Sequence, residues 1–389
     1  MNNNSIRPKI TVIIPTRERC DVFASALKTV TSQGYENLEI LVSDNFSDDA
    51  TEEITRQSND PRIRYLNTGS RLSMTHNWEF ALGHVTGDWV TIVGDDDGLL
   101  PGAIDRAAGF IHSSGVLAFQ STTCKYRWPG NKGRQFGRIR VPLTQGEEIR
   151  ESQPWMMKVL EGRRVYADLP MLYTGGFVSM EVMRELKRKT GAFYRSRIPD
   201  VYSGFAIGSL IPRYGFVRSP LCISGISRHS IGVDQFAAKK KAEASPSLKF
   251  LSEDNLPFHK DVPLSESGDI PSSLQAVVYE SYLQTRDLRK NGIGELSDHQ
   301  LEVILSRSSE HDEDISAWAR KFAELHGLNY ELARARARWR RRLYKLEDIP
   351  INFLRRTRRR TLGSARQKLE NVYEASLAAD ALLRKKALR

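Results

Sequence analysis

The first third of the chain alternates short apolar runs with segments that have the 3.6-residue periodicity of helices. Buried strands are predicted at residues 10–15, 38–43, 63–66, 89–93 and 116–121. Helices are predicted at residues 21–32, from the turn at 47–49 to about 57, at 74–85 and at 101–113. Strands that alternate with helices indicate an α/β domain with a largely parallel sheet.

The pattern changes twice after residue 120. Residues 120–161 are irregular and predict loops and a hairpin, and further elements are predicted at 172–178, 181–189, 201–210 and 219–224. Residues 237–271 are rich in Lys, Ser, Glu and Pro, and only helices are predicted after them. We therefore expect three parts: an α/β domain at 1–235, a linker or flexible lid at 236–271, and a helical region at 272–389.

The predicted helix at 329–346 is amphipathic and basic. Its net charge belongs to a larger asymmetry, because residues 331–389 contain 18 Lys and Arg against 6 Asp and Glu, whereas the rest of the chain carries a net charge of −1. One apolar stripe is formed by Leu332, Ala335, Trp339, Leu343 and Leu346, and Phe353 lies beyond it. This pattern is typical of helices that lie on anionic membranes. The alternatives are a helix docked on the body with a solvated basic face, and nucleic-acid binding, which no accompanying motif supports.

The composition of the chain indicates the cellular compartment in which the protein is expected. No apolar run approaches the 18 residues of a membrane span, and the polar N-terminus lacks the apolar core of a signal peptide. Three widely spaced cysteines fit a reducing compartment and give no metal-site spacing. We expect a cytoplasmic protein, peripheral on the inner face of the cell membrane if the basic helix binds lipid.

Three consecutive carboxylates, Asp95 to Asp97, follow the predicted strand 89–93. Like charges at the end of a buried strand repel one another, and a hard divalent cation such as Mg²⁺ or Mn²⁺ offsets that cost. Gly98 allows a tight turn, and Pro101 is predicted to begin the next helix. The alternative is a solvated acidic turn that caps this helix.

The first strand-to-helix turn excludes two common nucleotide sites. It reads Pro15-Thr16-Arg17-Glu18-Arg19, without the glycines of a dinucleotide-binding turn, and no Walker A sequence occurs in the chain. A nucleotide site in this domain must therefore use acids and a metal.

An ordered set of motifs in the first 125 residues resembles glycosyltransferase family 2. These motifs are Ile13 to Arg19, Leu41 to Asp49, Asn77, and Gly94 to Asp97. The resemblance implies the GT-A fold and a nucleotide-diphosphate sugar as donor. It implies that the nucleotide sugar is held by Pro15, Thr16, Arg17, Asp44, Asn77 and Asp95, and that Mn²⁺ or Mg²⁺ is held by Asp96 and Asp97. The first acid of the family's D-x-D motif falls on Gly94 here, and Asp95 is expected to replace it.

The same resemblance assigns the catalytic base to Asp200, where the family usually has a Glu-Asp pair and this chain has Pro199-Asp200. The alternative is that Asp200 caps the helix that follows it. Gly175 and Gly176 permit close backbone approach, either at an acceptor or sugar pocket or in a plain strand bulge. Arg228 and His229 are candidate ligands for the diphosphate or the metal shell, or are residues of a surface loop.

These observations predict a metal-dependent, inverting glycosyltransferase. By resemblance, the donor is expected to be a UDP-sugar, and the acceptor a hydroxyl, for example of a lipid-linked saccharide in bacterial cell-surface polysaccharide or glycolipid synthesis. Two alternatives remain open. One is a non-catalytic membrane- or nucleic-acid-binding protein that retains a transferase-like domain, and the other is a nucleotidyltransferase.

Overall fold

The computed structural model describes residues 7–130, 136–230, 253–265, 268, 270–271, 273–289, 297–357, 359–362 and 368–387, with side chains omitted at 347–357. In these residues the helices are α1 Cys20–Thr31, α2 Thr51–Gln57, α3 Met74–Gly83, α4 Ala103–Ser114, α5 Ser152–Leu160, α6 Met180–Thr190, α7 Pro199–Leu210, α8 Leu274–Leu283, α9 Ser297–Arg307, α10 Glu313–Leu325, α11 Tyr330–Thr357 and α12 Val372–Ala387. The strands are β1 Ile10–Thr16, β2 Leu38–Asp44, β3 Ile63–Asn67, β4 Trp89–Ile92, β5 Gly98–Leu99, β6 Ala118–Arg127, β7 Arg138–Pro142, β8 Glu147–Glu151, β9 Gly176–Ser179, β10 Arg213–Ile226 and β11 Arg359–Leu362.

One mixed sheet organises the N-terminal domain, in the order β11-β7-β6-β9-β4-β1-β2-β3, with β10 pairing β5, β6 and β8 beside this path. Strands β4, β1, β2 and β3 are parallel to one another, as the alternation of strands and helices predicts. Strands β1, β2 and β4 are buried along their whole length. Their nearly continuous apolar sequences are explained by helices that cover both faces of the sheet.

The helical C-terminal region is confirmed, and it contains one strand that the sequence pattern did not predict. Strand β11 pairs antiparallel with β7 and so extends the edge of the N-terminal sheet. Helix α12 returns to the same domain, where Val372, Ala375 and Ala379 are buried beside α1. Helices α8 to α11 form a second apolar cluster together with α5 and α7. Within the described residues, no helix is long and apolar enough to cross a membrane.

Several predicted boundaries were wrong. Residues 120–161 contain the ordered strands β6 to β8 and helix α5 rather than mainly loops. Helix α4 begins at Ala103 after Gly102 in a left-handed conformation (φ 67°), so Pro101 is not its first residue. Most of the predicted linker at 236–271, and the side chain of Phe353, lie outside the described residues.

Candidate active site

The carboxyl ends of three neighbouring strands bring the candidate donor-binding residues together. The parallel register pairs Thr16 at the end of β1 with Asp44 at the end of β2. Strand β4 lies on the other side of β1, and the amide of Val93, just after β4, donates to the carbonyl oxygen of Ile13 at 2.9 Å. The acidic triplet therefore leaves the sheet beside the end of β1, at the edge where open α/β sheets bind ligands.

Asp95 is paired with a cation from the first strand-to-helix turn. Arg19 Nη1 donates to Asp95 Oδ1 at 3.0 Å, and Arg19 Nη2 donates to the carbonyl oxygen of His229 at 2.8 Å. Burial raises the pKa of Asp95, and the Asp96 charge raises it further, whereas the Arg19 guanidinium opposes that shift. Arg19 thus supplies part of the positive charge that the carboxylate triplet requires.

Asp96 is held by the loop that follows β10. The hydroxyls of Ser227 and Ser230 each donate to Asp96 Oδ2 at 2.7 Å, and the Ser227 amide donates to the same oxygen at 3.3 Å. All the hydrogen bonds that Asp96 receives through its carboxylate from described residues fall on Oδ2. Its second oxygen, Oδ1, is therefore the one available to a ligand.

Asp97 faces inward and is 1% exposed. Its Oδ1 accepts from the Gly225 amide at 2.7 Å, while its Oδ2 accepts from the Thr174 hydroxyl and, at 3.3 Å, from the Gly94 amide. Burial, with the neighbouring Asp96 charge, raises the pKa of Asp97 to about 7. Both oxygens are occupied by the chain itself, and the assignment of Asp97 to the metal stays a prediction.

Tyr173 lies among the carboxylates. Its ring stacks on Trp78 with 5.2 Å between centroids, and its hydroxyl is close enough to Gly94 that a Cβ there would lie 2.6 Å from it. Burial raises the pKa of Tyr173 well above its usual value, and the charges of the triplet and of Asp200 add to that shift. The Tyr173 hydroxyl therefore stays protonated and lies within electrostatic reach of both the triplet and Asp200.

Asp200 is the second residue of α7, directly after Pro199. The residue at the N-cap position is Ile198, so Asp200 occupies the first turn rather than the capping position. Burial raises the pKa of Asp200, and a hydrogen bond from the Tyr166 side chain partly opposes the shift. The Asp200 charge and burial in turn raise the pKa of Tyr166. A carboxylate with a raised pKa and a fixed hydrogen-bond donor has the properties of a general base.

The residues predicted to bind the nucleotide differ in how many hydrogen bonds their side chains already make within the protein. The Thr16 side chain is buried at the end of β1, in register with Asp44, and its hydroxyl lies close enough to Asp95 to lower the pKa of that carboxyl. Asp44 accepts from the Tyr65 hydroxyl at 2.6 Å and from the Ser47 amide at 3.1 Å. The Asn77 side chain accepts from the Ser43 hydroxyl at 2.7 Å, which ties α3 to β2. Pro15 is buried within β1. Thr16 therefore links the strand ends that carry Asp44 to the acidic triplet.

Arg17 points to the chain that follows the undescribed residues 231–252. Its Nη1 lies 2.5 Å from a carboxylate oxygen of Glu253 and also donates to the carbonyl of Leu72 at 3.3 Å. The other carboxylate oxygen of Glu253 is buried and has no hydrogen-bond partner in the described part of the chain. The Arg17 guanidinium, which was predicted to bind the donor, is thus paired with the Glu253 carboxylate.

The remaining predicted residues have structural surroundings of their own. A Cβ on Gly176 would lie 1.7 Å from the Met171 carbonyl oxygen, and Gly175 has a φ of 99°, so both positions require glycine for packing and turn geometry. Arg228 and His229 lie 3.0 and 3.2 Å from the same oxygen of Asp21. Their roles toward the acceptor or the phosphates stay predictions.

Several residues of this site were not predicted from the sequence. They are Arg19, Tyr166, Tyr173, Thr174, Ser227, Ser230 and Glu253. The serines flank the Arg-His pair that the sequence analysis selected, but a hydroxyl in a loop carries little signal. Tyr166 lies outside the predicted elements and Tyr173 lies within the one predicted at 172–178, and only the tertiary structure brings them to Asp200 and the triplet.

Comparison with known proteins shows what this domain is similar to. Residues 11–177 match the model for glycosyl transferase family 2. Over these residues the N-terminal domain is similar to glycosyltransferase family 2. The matched segment contains the whole triplet and Tyr173, whereas Asp200 and the loop at 227–230 follow it.

A relative from Campylobacter jejuni, GalNAc(5)-diNAcBac-PP-undecaprenol beta-1,3-glucosyltransferase, is 33% identical over 137 residues, which cover 33% of this chain and 42% of that protein. The chain thus spans less than half the length of this curated relative. The structure of TarS 1-349 from S. aureus in complex with UDP matches with 14% identity and a TM-score of 0.47, over 87% of this chain and 92% of that one. Mannosyltransferase PcManGT from Pyrobaculum calidifontis, in complex with GDP-Man and Mn²⁺, matches with 16% identity and a TM-score of 0.42, over 89% of each chain.

Proposed function

We propose that this protein transfers a sugar from a nucleoside diphosphate to a hydroxyl acceptor, with inversion at the anomeric carbon. The observation that carries the proposal is the pairing of two carboxylate centres in a domain similar to glycosyltransferase family 2. One centre is the triplet, in which Asp96 keeps one oxygen available, and the other is Asp200 with its tyrosine donor. Tyr173 lies within electrostatic reach of both.

The donor nucleotide would lie along the ends of β1 and β2. The register that sets Thr16 beside Asp44, with the Thr16 hydroxyl close to Asp95, supports this position at the carboxyl edge of the sheet. Asp44 would accept a hydrogen bond from the base or ribose, and Pro15 and Asn77 shape the same strand ends. Arg17 would meet the donor once its guanidinium is released from Glu253. We propose a UDP-sugar as donor because the resemblance to glycosyltransferase family 2 implies one.

A divalent cation fits the site through a single residue. Asp96 offers an oxygen that no described residue occupies, whereas Asp95 is paired with Arg19 and Asp97 is enclosed. Among the described residues, no group of three acids, histidines or cysteines is placed to hold an ion. This donor set suits Mg²⁺ or Mn²⁺, which are commonly held by one or two carboxylates together with substrate phosphates. When bound, the ion would stabilise negative charge on the leaving diphosphate.

Asp200 would remove the proton from the attacking acceptor hydroxyl. Its raised pKa brings its basicity closer to neutrality, where a base is most effective. The Tyr166 hydroxyl would orient the carboxylate and stabilise its charged form. Direct displacement by the acceptor oxygen on the face opposite the leaving group inverts the configuration, so the mechanism needs no covalent sugar on the enzyme.

The acceptor is proposed to be a lipid-linked saccharide. The Campylobacter jejuni relative is named for an undecaprenyl-diphosphate-linked acceptor, and it is 33% identical to this chain over the aligned 137 residues. Gly175, Gly176, Arg228 and His229 are the candidate residues on the acceptor or phosphate side. Such a role would place the protein at the inner face of the cell membrane, in cell-surface polysaccharide or glycolipid synthesis.

The test is a donor screen with the full-length protein and Mn²⁺. Nucleoside diphosphate released in the presence of a saccharide-lipid acceptor, with an inverted linkage by NMR, is the expected result. Release of pyrophosphate would show a nucleotidyltransferase instead. Absence of turnover with every donor, despite nucleotide binding by calorimetry, would support the non-catalytic alternative.

A further inference from the structure

Helix α11 docks through its small residues. Ala333, Ala337 and Tyr344 are buried, and the Tyr344 hydroxyl donates to the carbonyl oxygen of Glu161 after α5. Arg341 donates to the carbonyl oxygens of Leu305, Ser306 and Ser308 around the end of α9. These contacts fix the rotation of the helix about its own axis. They therefore also fix which side chains face outward.

The outward face is the apolar stripe that the sequence predicted. Exposure is 49% for Leu332, 67% for Trp339, 48% for Leu343 and 66% for Leu346. Since successive helical residues advance by about 100°, these four lie within an arc of roughly 60°. Four large apolar side chains on one exposed arc form a contiguous surface of the kind that marks an interaction site.

Cations border this stripe. Arg338, Arg342 and Lys345 are exposed and line a groove of about 610 Å³ beside it, together with Ser308, Ser309 and Glu310. Glu310 pairs closely with Arg341, and its distance to Arg338 is 3.9 Å. Neither Arg342 nor Lys345 has an ion pair with a described residue. The groove therefore has an excess of positive charge that suits phosphate groups.

We propose that α11 docks the protein on an anionic lipid bilayer. The stripe Leu332, Trp339, Leu343 and Leu346 would enter the headgroup region, and lipid phosphates would occupy the groove of Arg338, Arg342 and Lys345. An apolar stripe bordered by cations is complementary to a surface with negative headgroups above hydrocarbon. A second copy of the chain would place the same cations against one another, so charge favours the bilayer.

This placement would also orient the candidate active site. Tyr344 holds α11 to the end of α5, and α5 packs on α7, where Met156, Val159 and Phe205 share one apolar cluster. Helix α7 begins with Pro199 and Asp200. The inference goes beyond the proposed transfer reaction and does not depend on it.

Flotation with vesicles tests the proposal on the full-length protein. Vesicles of phosphatidylcholine with phosphatidylglycerol should carry the protein at low salt, and vesicles of phosphatidylcholine alone should carry much less. The double variant Trp339→Ser/Leu343→Ser should reduce binding roughly tenfold or more. The control Leu325→Ser, which changes a 54% exposed leucine at the end of α10, should bind like wild type.

A second pair of variants tests the groove. Arg338→Gln/Arg342→Gln should lower binding to anionic vesicles roughly tenfold, whereas the control Arg56→Gln/Arg188→Gln removes exposed arginines elsewhere and should not. Equal binding by wild type and either α11 variant would overturn the proposal. The proposal would also be overturned if sedimentation showed that the wild-type protein forms a dimer and that the Trp339→Ser/Leu343→Ser variant does not. Release of nucleoside diphosphate without vesicles is measured in parallel, so failure of the docking proposal is separate from failure of the proposed reaction.

Discussion

Folded proteins usually bury apolar side chains and expose charged ones, and the acidic triplet and helix α11 depart from this rule in opposite directions. In the triplet, charged side chains are buried, with exposed fractions of 4%, 6% and 1% for Asp95, Asp96 and Asp97. In α11, large apolar side chains are exposed. The fold itself compensates the first departure, through Arg19, the serines of the 227–230 loop and Thr174. Among the described residues, nothing covers the second. The comparison indicates that the triplet belongs to an internal site, whereas the described residues leave the helix face open, as the proposed bilayer docking requires.

The largest effect is expected at the buried side of this comparison. Asp96→Asn should abolish transfer and remove the dependence of nucleotide binding on Mn²⁺, because it weakens the one carboxylate oxygen that remains available. The unfolding transition should change little, since the amide keeps the shape of the side chain. Turnover and calorimetry with and without EDTA measure this. The control is Asp105→Asn, an exposed acid paired with Arg7. Wild-type activity in the Asp96 variant, or full wild-type activity in EDTA, would contradict the metal assignment.

Asp200 provides the next test. Asp200→Asn should lower kcat by roughly 10²–10⁴-fold with little change in donor binding, which is the usual contribution of a general base. Because the base acts as a carboxylate and burial raises its pKa, kcat/KM should rise with pH through that pKa. A normal kcat in the Asn variant would leave Asp200 as a residue of the helix start.

Tyr166→Phe sharpens that test. The hydrogen bond from Tyr166 lowers the pKa of Asp200, so its removal should move the rising limb of the kcat/KM profile to higher pH. If Tyr166 had only a structural role, its replacement would change the stability of the protein but would not shift the rising limb of the kcat/KM profile. The control is Tyr65→Phe, which removes a partly buried hydroxyl donor at the nucleotide side.

The two faces of α11 predict a contrast in stability. Tyr344→Ala should lower the free energy of unfolding by roughly 3–5 kcal/mol, the range for large-to-small changes of buried aromatic residues. Trp339→Ala, on the outward face, should change it by no more than about 0.5 kcal/mol. Chemical denaturation of both variants measures the difference. Equal losses would show that the tryptophan packs against the protein in solution.

The smallest effect concerns the nucleotide. Asp44→Ala should weaken donor binding by roughly 1–3 kcal/mol, the cost of leaving a polar partner unsatisfied. Because this change also leaves the Tyr65 hydroxyl without its acceptor, Tyr65→Phe is the matched control and should keep donor affinity. Donor affinities by calorimetry decide the point, and an unchanged value for Asp44→Ala would remove Asp44 from the nucleotide site.

The sequence alone determined the layout of the N-terminal domain. Strands β1, β2 and β4 are continuous apolar runs that end in polar residues, and only a sheet covered on both faces buries such runs. Parallel strands end at one edge of a sheet, and the family resemblance, rather than the strand pattern, assigned Thr16, Asp44 and the triplet to one site at that edge. The motif order was also sufficient to identify the family resemblance.

Tertiary structure decided what each side chain meets. The three acids are adjacent in sequence, yet their partners come from the turn after β1, from the loop after β10 and from Thr174, at separations that no local pattern encodes. Periodicity likewise gave the apolar stripe of α11 but not the side that docks. The docked side is that of Ala333 and Ala337, because small residues allow close approach and α9 offers carbonyl oxygens to Arg341. Which face a helix buries depends on the shape and hydrogen-bonding groups of its neighbour, and these exist only after folding.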